Sequence, residues 1–487
     1  MLEARSMRYL DLAVILAYLA GVTWFGARFH TRQKSLREYF LGGRTAPWWA
    51  ISLAIVSAET STLTIVGTPG LAFNGNLGFL QVVLGYLLAR IVISVLFLPH
   101  YFRGEMFTAY ELMRRRFGER IRKLTASIFL VTRALAEGVR VFAVSLVVSV
   151  VLGTGEVTSV VLITVLTLFY TLQGGMTAVI WTEVMQMCLY LIGAALSFFL
   201  ILAKIPGGWA HVVAVGSAAH KFALFDFRFA PTMEFLSLPY TFWAGILGGC
   251  LLTTATHGTD QLMVQWLLSA RNEAQSRTAL LSSWVIIAFQ FTLFLLIGVL
   301  LYVFYGDMHL PPPAHIDRIY PAFLWDHLPT GLSGLMIAAI LAAAMANLSA
   351  ALNALSSTTV VDILRVKSGE GHEARSVYLA RLCTVAWAVI LMSVGYASRF
   401  SHSVLEAGLR IASVPLGALL GVFLLGVLTT RTGERAAMAG VIAGLAAILY
   451  VYYRTPIAFT WYVLIGSSVT FVIGWGVSLL GGKAVSS

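Results

Sequence analysis

Stretches of about 20 consecutive apolar residues, the length a helix needs to cross a hydrocarbon core, recur along nearly the whole chain. They fall at 9–28, 47–73, 77–100, 123–153, 157–173, 178–204 and 238–257, and again at 278–305, 331–363, 377–398, 404–428, 436–453 and 459–481. The polar segments between them are short. The pattern predicts an all-α membrane protein of about 13 transmembrane helices.

Two of these stretches are interrupted. The first, at 47–73, carries Ser57-Ala58-Glu59-Thr60-Ser61-Thr62, then Thr64 and Gly67-Thr68-Pro69-Gly70; the second, at 238–257, carries Gly248-Gly249 and Thr253-Thr254-Ala255-Thr256. They stand five spans apart. That spacing fits a five-plus-five inverted repeat in which broken helices 1 and 6 expose backbone at mid-membrane to hold ions and solute. The alternative is that the small residues only allow close helix packing.

Composition enters next and excludes a soluble domain. With 59% apolar and 11% charged residues over 487 positions, the chain cannot furnish the charged surface that a protein of this size needs in water. Its mean hydropathy is +0.84. Cys188, Cys250 and Cys383 lie far apart with no metal-ligand spacing and read as packing residues.

The formal charge of +11 sets topology rather than nucleic-acid binding, because the basic residues sit in short loops, strongly at 28–44 and 103–123. Taking those loops as cytoplasmic, inner loops collect about 20 Lys/Arg against about 8 outside. The N-terminus is then outside and the C-terminus cytoplasmic, in a multi-pass inner-membrane protein. The first stretch reads as a span rather than a signal peptide, since its heavier basic flank follows it.

Four segments carry a resemblance: Gly42-Gly43-Arg44 with Pro47-Trp48-Trp49; Gly174-Gly175-Met176 through Trp181-Thr182-Glu183; Thr259-Asp260-Gln261 with Gln265 and Ser269-Ala270; and Ala342 to Asp362 with Asn353 and Ser356-Ser357-Thr358. On these the chain resembles the sodium:solute symporter family. The resemblance implies ten core helices between about 47 and 428. It divides the chain into a peripheral helix and basic loop (1–45), a first repeat (46–204), an extracellular loop (205–237), a second repeat (238–428) and two peripheral helices (429–487).

It also implies a sodium site built from carbonyls of the first core helix and a carbonyl and two hydroxyls of the eighth. The matching positions are Ser57, Thr60, Ala343, Ala346 and Asn347, so the hydroxyl pair is absent. Asn347 offers an amide oxygen, Ser349 a hydroxyl one turn on, and Glu183 negative charge. Sodium remains the expected coupling ion, and no cofactor is expected.

For the solute, the candidates surround the first break: Glu59, Ser61, Thr64, Gln81 and Thr256, with Arg133, Glu137 and Arg140. The last three recur at i, i+4 and i+7 and share one helix face. Two cations and one anion leave a surplus that a carboxylate solute or Glu59 would balance. Glu59, a carboxylate at mid-span, itself needs a partner. Glu406 and Arg410, at i and i+4, read as a structural pair, and Asp260-Gln261 as a gate or loop anchor. Trp266 stands where members of the family often have Arg.

The expected function is secondary active, sodium-coupled symport of an organic acid, a sialic-acid-like sugar acid or another polyhydroxy compound. Proton-coupled or sodium-independent transport, or a solute sensor on the transporter fold, are the alternatives. No enzyme is expected, because no HExxH, paired aspartates or nucleophile with its base is found. The partners expected are solute, sodium and lipid; no nucleic acid is expected, and the oligomeric state stays open.

Overall fold

A computed structural model describes residues 9–27, 46–103, 109–171, 176–359, 363–364, 373–400 and 404–480. The basic loop 28–44 lies outside the described residues, Ala46 being the first described residue after it. The described chain is helical, with a single isolated bridge between Ala46 and Ala270.

Helix α1 (Tyr9–Ala27) precedes a bent pair, α2 (Trp48–Glu59) and α3 (Thr62–Asn74), whose axes meet at 60°. Then come α4 (Leu80–Tyr101), with a π-helical stretch at Ile93–Phe97, α5 (Ala109–Phe117), α6 (Glu119–Leu152), α7 (Glu156–Thr171) and α8 (Met176–Lys204). Two short helices follow, α9 (Gly208–Ala218) and α10 (Met233–Ser237). A π-helical turn at Ala244–Gly248 runs into α11 (Gly249–Gly258), and α12 (Gln261–Leu268), α13 (Glu273–Asp307), α14 (Ile319–His327), α15 (Leu332–Thr358), α16 (Glu373–Ser398) and α17 (Val404–Leu428) complete the central part. Last are α18 (Glu434–Arg454) and α19 (Tyr462–Leu480).

Among the described residues, seven helices are long and apolar enough to cross a membrane, or eight when the bent pair counts as one span. Other predicted stretches hold shorter apolar segments, such as Glu156–Val165 in α7 and Leu332–Leu341 in α15.

The helices sort by packing into two groups. In one, α13 packs on α2, α3 and α4, and α4 packs on α11. In the other, α6, α7, α15 and α16 all contact one another. Lipid supplies no hydrophobic drive between helices, so close approach through small residues holds such contacts. At Gly298 of α13 an added Cβ would lie 2.2 Å from the Pro69 carbonyl, and at Gly249 one would lie 2.4 Å from the Val82 carbonyl. Each substitution would force the helices apart.

The first break has identifiable causes. Thr60 closes α2 through its N–H to the Val56 carbonyl, and Ser61 then extends at φ −86°, ψ 172°. Irregular backbone at membrane depth survives only where protein satisfies it. Here Thr60 and Gln290 of α13 exchange hydrogen bonds at 2.7 and 2.9 Å, and Glu59 turns to Arg90 of α4.

The second interruption differs from the expectation. Gly248-Gly249 and Thr253–Thr256 lie within continuous helix, and the gap falls at Thr259–Asp260, between α11 and α12. The threonines stay helical by bonding the preceding turn: the Thr254 and Thr256 hydroxyls donate to the Cys250 and Thr253 carbonyls. The paired glycines serve packing, as the alternative reading held.

Helix α1 packs on α15. Its buried Asp11 accepts the Gly331 and Gly334 N–H groups at 2.6 and 2.9 Å, which otherwise lack partners at the start of α15.

Candidate functional site

A narrow crevice opens where the two helix groups meet. Ser61 of the broken segment lines one side, and Glu137, Arg140, Ala344 and Asn347 line the other, with Val141, Val144, Ile163 and Leu348 supplying apolar walls. The walls nearly meet, leaving a cavity of about 10 Å³, room for about one water. The sequence grouped Ser61 with Glu137 and Arg140, and the structure brings them together. It also brings Asn347, expected at the cation site, to the same crevice.

The polar side is a buried network. Glu137 accepts from Arg140 at 2.5 Å and contacts Arg133 at 3.1 Å, as the shared helix face requires. Arg133 also reaches Asp260 at 3.7 Å, across from α6 to the gap after α11. This corrects the expected surplus of positive charge: two arginines face two carboxylates. The network is nevertheless incompletely bonded, since Arg133 Nε, Arg140 Nε and Glu137 Oε2 are buried without a hydrogen-bond partner. Buried groups of this kind normally find partners. Atoms left open beside a cavity are what an incoming polar ligand can satisfy.

Glu59 has a partner, but not one of those expected. Arg90 Nη2 donates to it at 2.5 Å, and His257 Nε2 stands 3.3 Å away. Arg90 is fully buried, and its remaining nitrogens donate to the Ser283 hydroxyl and the Tyr86 carbonyl. Thr256, a candidate for solute, faces its neighbour instead, with its hydroxyl 2.9 Å from His257 Nδ1. The cluster joins α2, α4, α11 and α13, which all belong to one group. Sequence reasoning missed Arg90, His257 and Gln290. The signal for Arg90 was present, a lone arginine amid 77–100.

Gln81 is also bound differently from the expectation. Its amide nitrogen donates to the carbonyls of Tyr240 at 2.7 Å and Gly78 at 3.2 Å, and its amide oxygen accepts the Asp226 N–H at 3.0 Å. It fastens the 205–237 segment to the start of α4. Nearby, the Tyr240 hydroxyl donates to Glu406 of α17. Arg410, the expected partner of Glu406, places its guanidinium 5.0 Å from the Tyr452 ring centre.

Of the remaining candidates, Ser57 and Thr64 are buried near the break. The side chains of Glu183, Ala343, Ala346 and Ser349 lie outside the described residues, although α8 and α15 run through these positions. Trp266 is buried, with its indole N–H unpaired.

Comparison with known proteins gives consistent results. A family model described as the sodium:solute symporter family matches residues 39–444. The chain is 26% identical over 482 residues to the sodium/sialic acid symporter of Proteus mirabilis, covering 97% of this chain and 95% of that one. It is 27% identical over 455 residues to the human sodium/iodide cotransporter, covering 90% and 68%, and 26% identical over 467 residues to bovine sodium-coupled monocarboxylate transporter 2, covering 93% and 74%. A solved substrate-bound, outward-open structure of a Na+-coupled sialic acid symporter superposes with TM-score 0.84 at 26% identity, covering 98% and 99%. A nucleobase-cation-symport-1 family transporter shares the fold at TM-score 0.58 and 12% identity, covering 92% and 96%.

Proposed function

The chain belongs to the sodium:solute symporter family, and from that premise we propose that it performs sodium-coupled symport of a small polar organic solute through the crevice between Ser61, Arg140 and Asn347. The observation that carries the assignment is the pair of unpaired buried atoms, Glu137 Oε2 and Arg140 Nε, on residues that line the crevice with Ser61 of the helix break. Organic acids, sialic-acid-like sugar acids and other polyhydroxy compounds are the solute class, since they bring acceptor oxygens for the arginine N–H and hydroxyl donors for Glu137 Oε2. Names of relatives that transport sialic acid and monocarboxylates support that class.

Thirteen spans with a five-plus-five repeat form the proposed architecture. Contacts support it, because they repeat when each helix is exchanged for the one five spans away. The pair of α13 with α2 and α3 has its counterpart in α4 with α11, and α6 with α16 in α15 with α7. Likewise α8 with α15 matches α17 with α6. One group would then rock against the other, with the crevice on the seam between them. Contacts crossing the seam, Arg133 to Asp260 at one end and Tyr240 to Glu406 at the other, are its candidate gates.

Uptake by the purified protein in liposomes tests the assignment directly, with N-acetylneuraminate, short monocarboxylates and inositols as the panel. No sodium-gradient-driven uptake of any of them would remove it. Arg140→Ala should raise the half-saturating concentration about 10- to 100-fold, the equivalent of a charge-assisted contact of about 1.5–3 kcal/mol. Normal insertion with unchanged affinity would take Arg140 out of the site.

The proposed orientation puts the N-terminus outside and the C-terminus in the cytoplasm, on the distribution of Lys and Arg. A C-terminal reporter enzyme active only in the periplasm should stay silent. Its activity would reverse the topology.

A second reading, proton coupling, is favoured by one contact, His257 Nε2 against Glu59 at 3.3 Å.

A further inference from the structure

The segment between α9 and α10 carries a feature that the transport site does not use. Residues 223–230 have no regular secondary structure, and they read Ala-Leu-Phe-Asp-Phe-Arg-Phe-Ala. In extended chain, alternate side chains point to opposite sides. Phe225, Phe227 and Phe229 are 53%, 61% and 70% exposed, an unusual display of large aromatic surface. Asp226 and Arg228 alternate with them and form a two-pronged pair, with Arg228 Nε and Nη2 donating at 2.8 and 2.6 Å. Hydrogen bonds from Arg228 hold the Asp226 carboxyl below the usual range, so the pair stays ionised.

What covers the three rings follows from their neighbours. Phe227 lies 4.9 Å from the Phe242 ring and Phe229 lies 5.8 Å from the Trp243 ring, both in the first turn of the helix that becomes α11. Trp243 and Leu247, one turn apart on that helix, are themselves 39% and 45% exposed. That row is an exposed apolar side of the helix, within the stretch 238–257 that the sequence reads as a span. The aromatic ridge therefore continues the lipid-facing surface at the depth where aromatic residues gather in membrane proteins.

We propose that residues 225–229 form an interfacial anchor, with Phe225, Phe227 and Phe229 inserted among the lipids of one leaflet at headgroup level and the Asp226–Arg228 pair turned to water. The anchor is tied to the transport core: the Asp226 N–H donates to Gln81 of α4, and the Asp226 carbonyl accepts from Phe242. A lipid-seated strap thus holds the start of α4 through Gln81.

The test is depth measurement by spin labelling on the full chain in phosphatidylcholine and phosphatidylglycerol nanodiscs. Cys188, Cys250 and Cys383 are first replaced by serine, and single labels are then introduced by Phe225→Cys, Phe227→Cys, Arg228→Cys and Phe229→Cys. Labels at 225, 227 and 229 should relax through dissolved oxygen in preference to a water-soluble nickel chelate, and the label at 228 should show the reverse. Equal access of nickel to all four overturns the proposal. So does shielding of the three from both agents with spin broadening between copies, which would make the ridge a contact with a second copy of the chain. Should the cysteine-free protein fail to fold, F227W in the wild-type background decides: its added fluorescence should be quenched by lecithin brominated near the glycerol end of its acyl chains. Quenching by aqueous acrylamide instead overturns the anchor.

Discussion

Replacing Arg90 with alanine is expected to destabilise the protein by about 3–5 kcal/mol, the usual consequence of removing one partner from a buried ion pair. Glu59 would keep its charge at mid-membrane with only His257 nearby, at 3.3 Å. Arg90 has no exposed surface and the Glu59 side chain only 10%, so water cannot take over. The loss should appear as a lower Tm in lipid nanodiscs. Combining Arg90→Met with Glu59→Gln should recover much of it, because a neutral pair leaves no uncompensated charge. A double-mutant cycle measures the difference. If the double variant lost the sum of the single losses, the two residues would not act as a pair, and Glu59 would return to the list of solute ligands.

This pair also marks where the sequence was legible and where it was not. Periodicity reports neighbours on one helix, so the shared face of Arg133, Glu137 and Arg140 could be read from spacing. It is silent on contacts between helices. Arg90 and Glu59 are 31 positions apart, and Arg133 meets Asp260 from another helix group, so both partnerships appear only once the helices pack. Residue type alone misled for Gln81: an amide at a helix end serves equally as solute ligand or as loop fastener, and three backbone partners decide for the latter here.

The two interruptions teach a similar lesson. The break after Glu59 was legible because a carboxylate and hydroxyls cluster there, and Glu59 and Thr60 find partners on other helices. The threonine run at 253–256 was misread because threonine hydroxyls are satisfied within a helix by carbonyls of the preceding turn. Polar content signals a break only when the groups have no such local partner. The gap at Thr259–Asp260 carries the shorter signal, a single carboxylate, and that carboxylate again points to another helix.

Ala346→Ser is the second substitution with a large expected effect, and it tests sodium coupling itself. The resemblance implies two hydroxyls on the eighth core helix, and this chain has Ala346-Asn347 at those positions on α15. A hard cation of this size binds through oxygen, and a missing oxygen contact to a charged group is worth about 1.5–3 kcal/mol. The serine should therefore lower the sodium concentration for half-maximal uptake by about 10- to 100-fold. Adding one oxygen in place of a hydrogen leaves little steric cost. Asn347, the next residue, faces the crevice with Ser61. Uptake that ignores sodium in both proteins and collapses with the proton gradient would transfer the coupling role to Glu59 and His257. In that case His257→Gln should weaken proton-driven uptake while leaving the fold intact, because glutamine keeps a donor near Glu59.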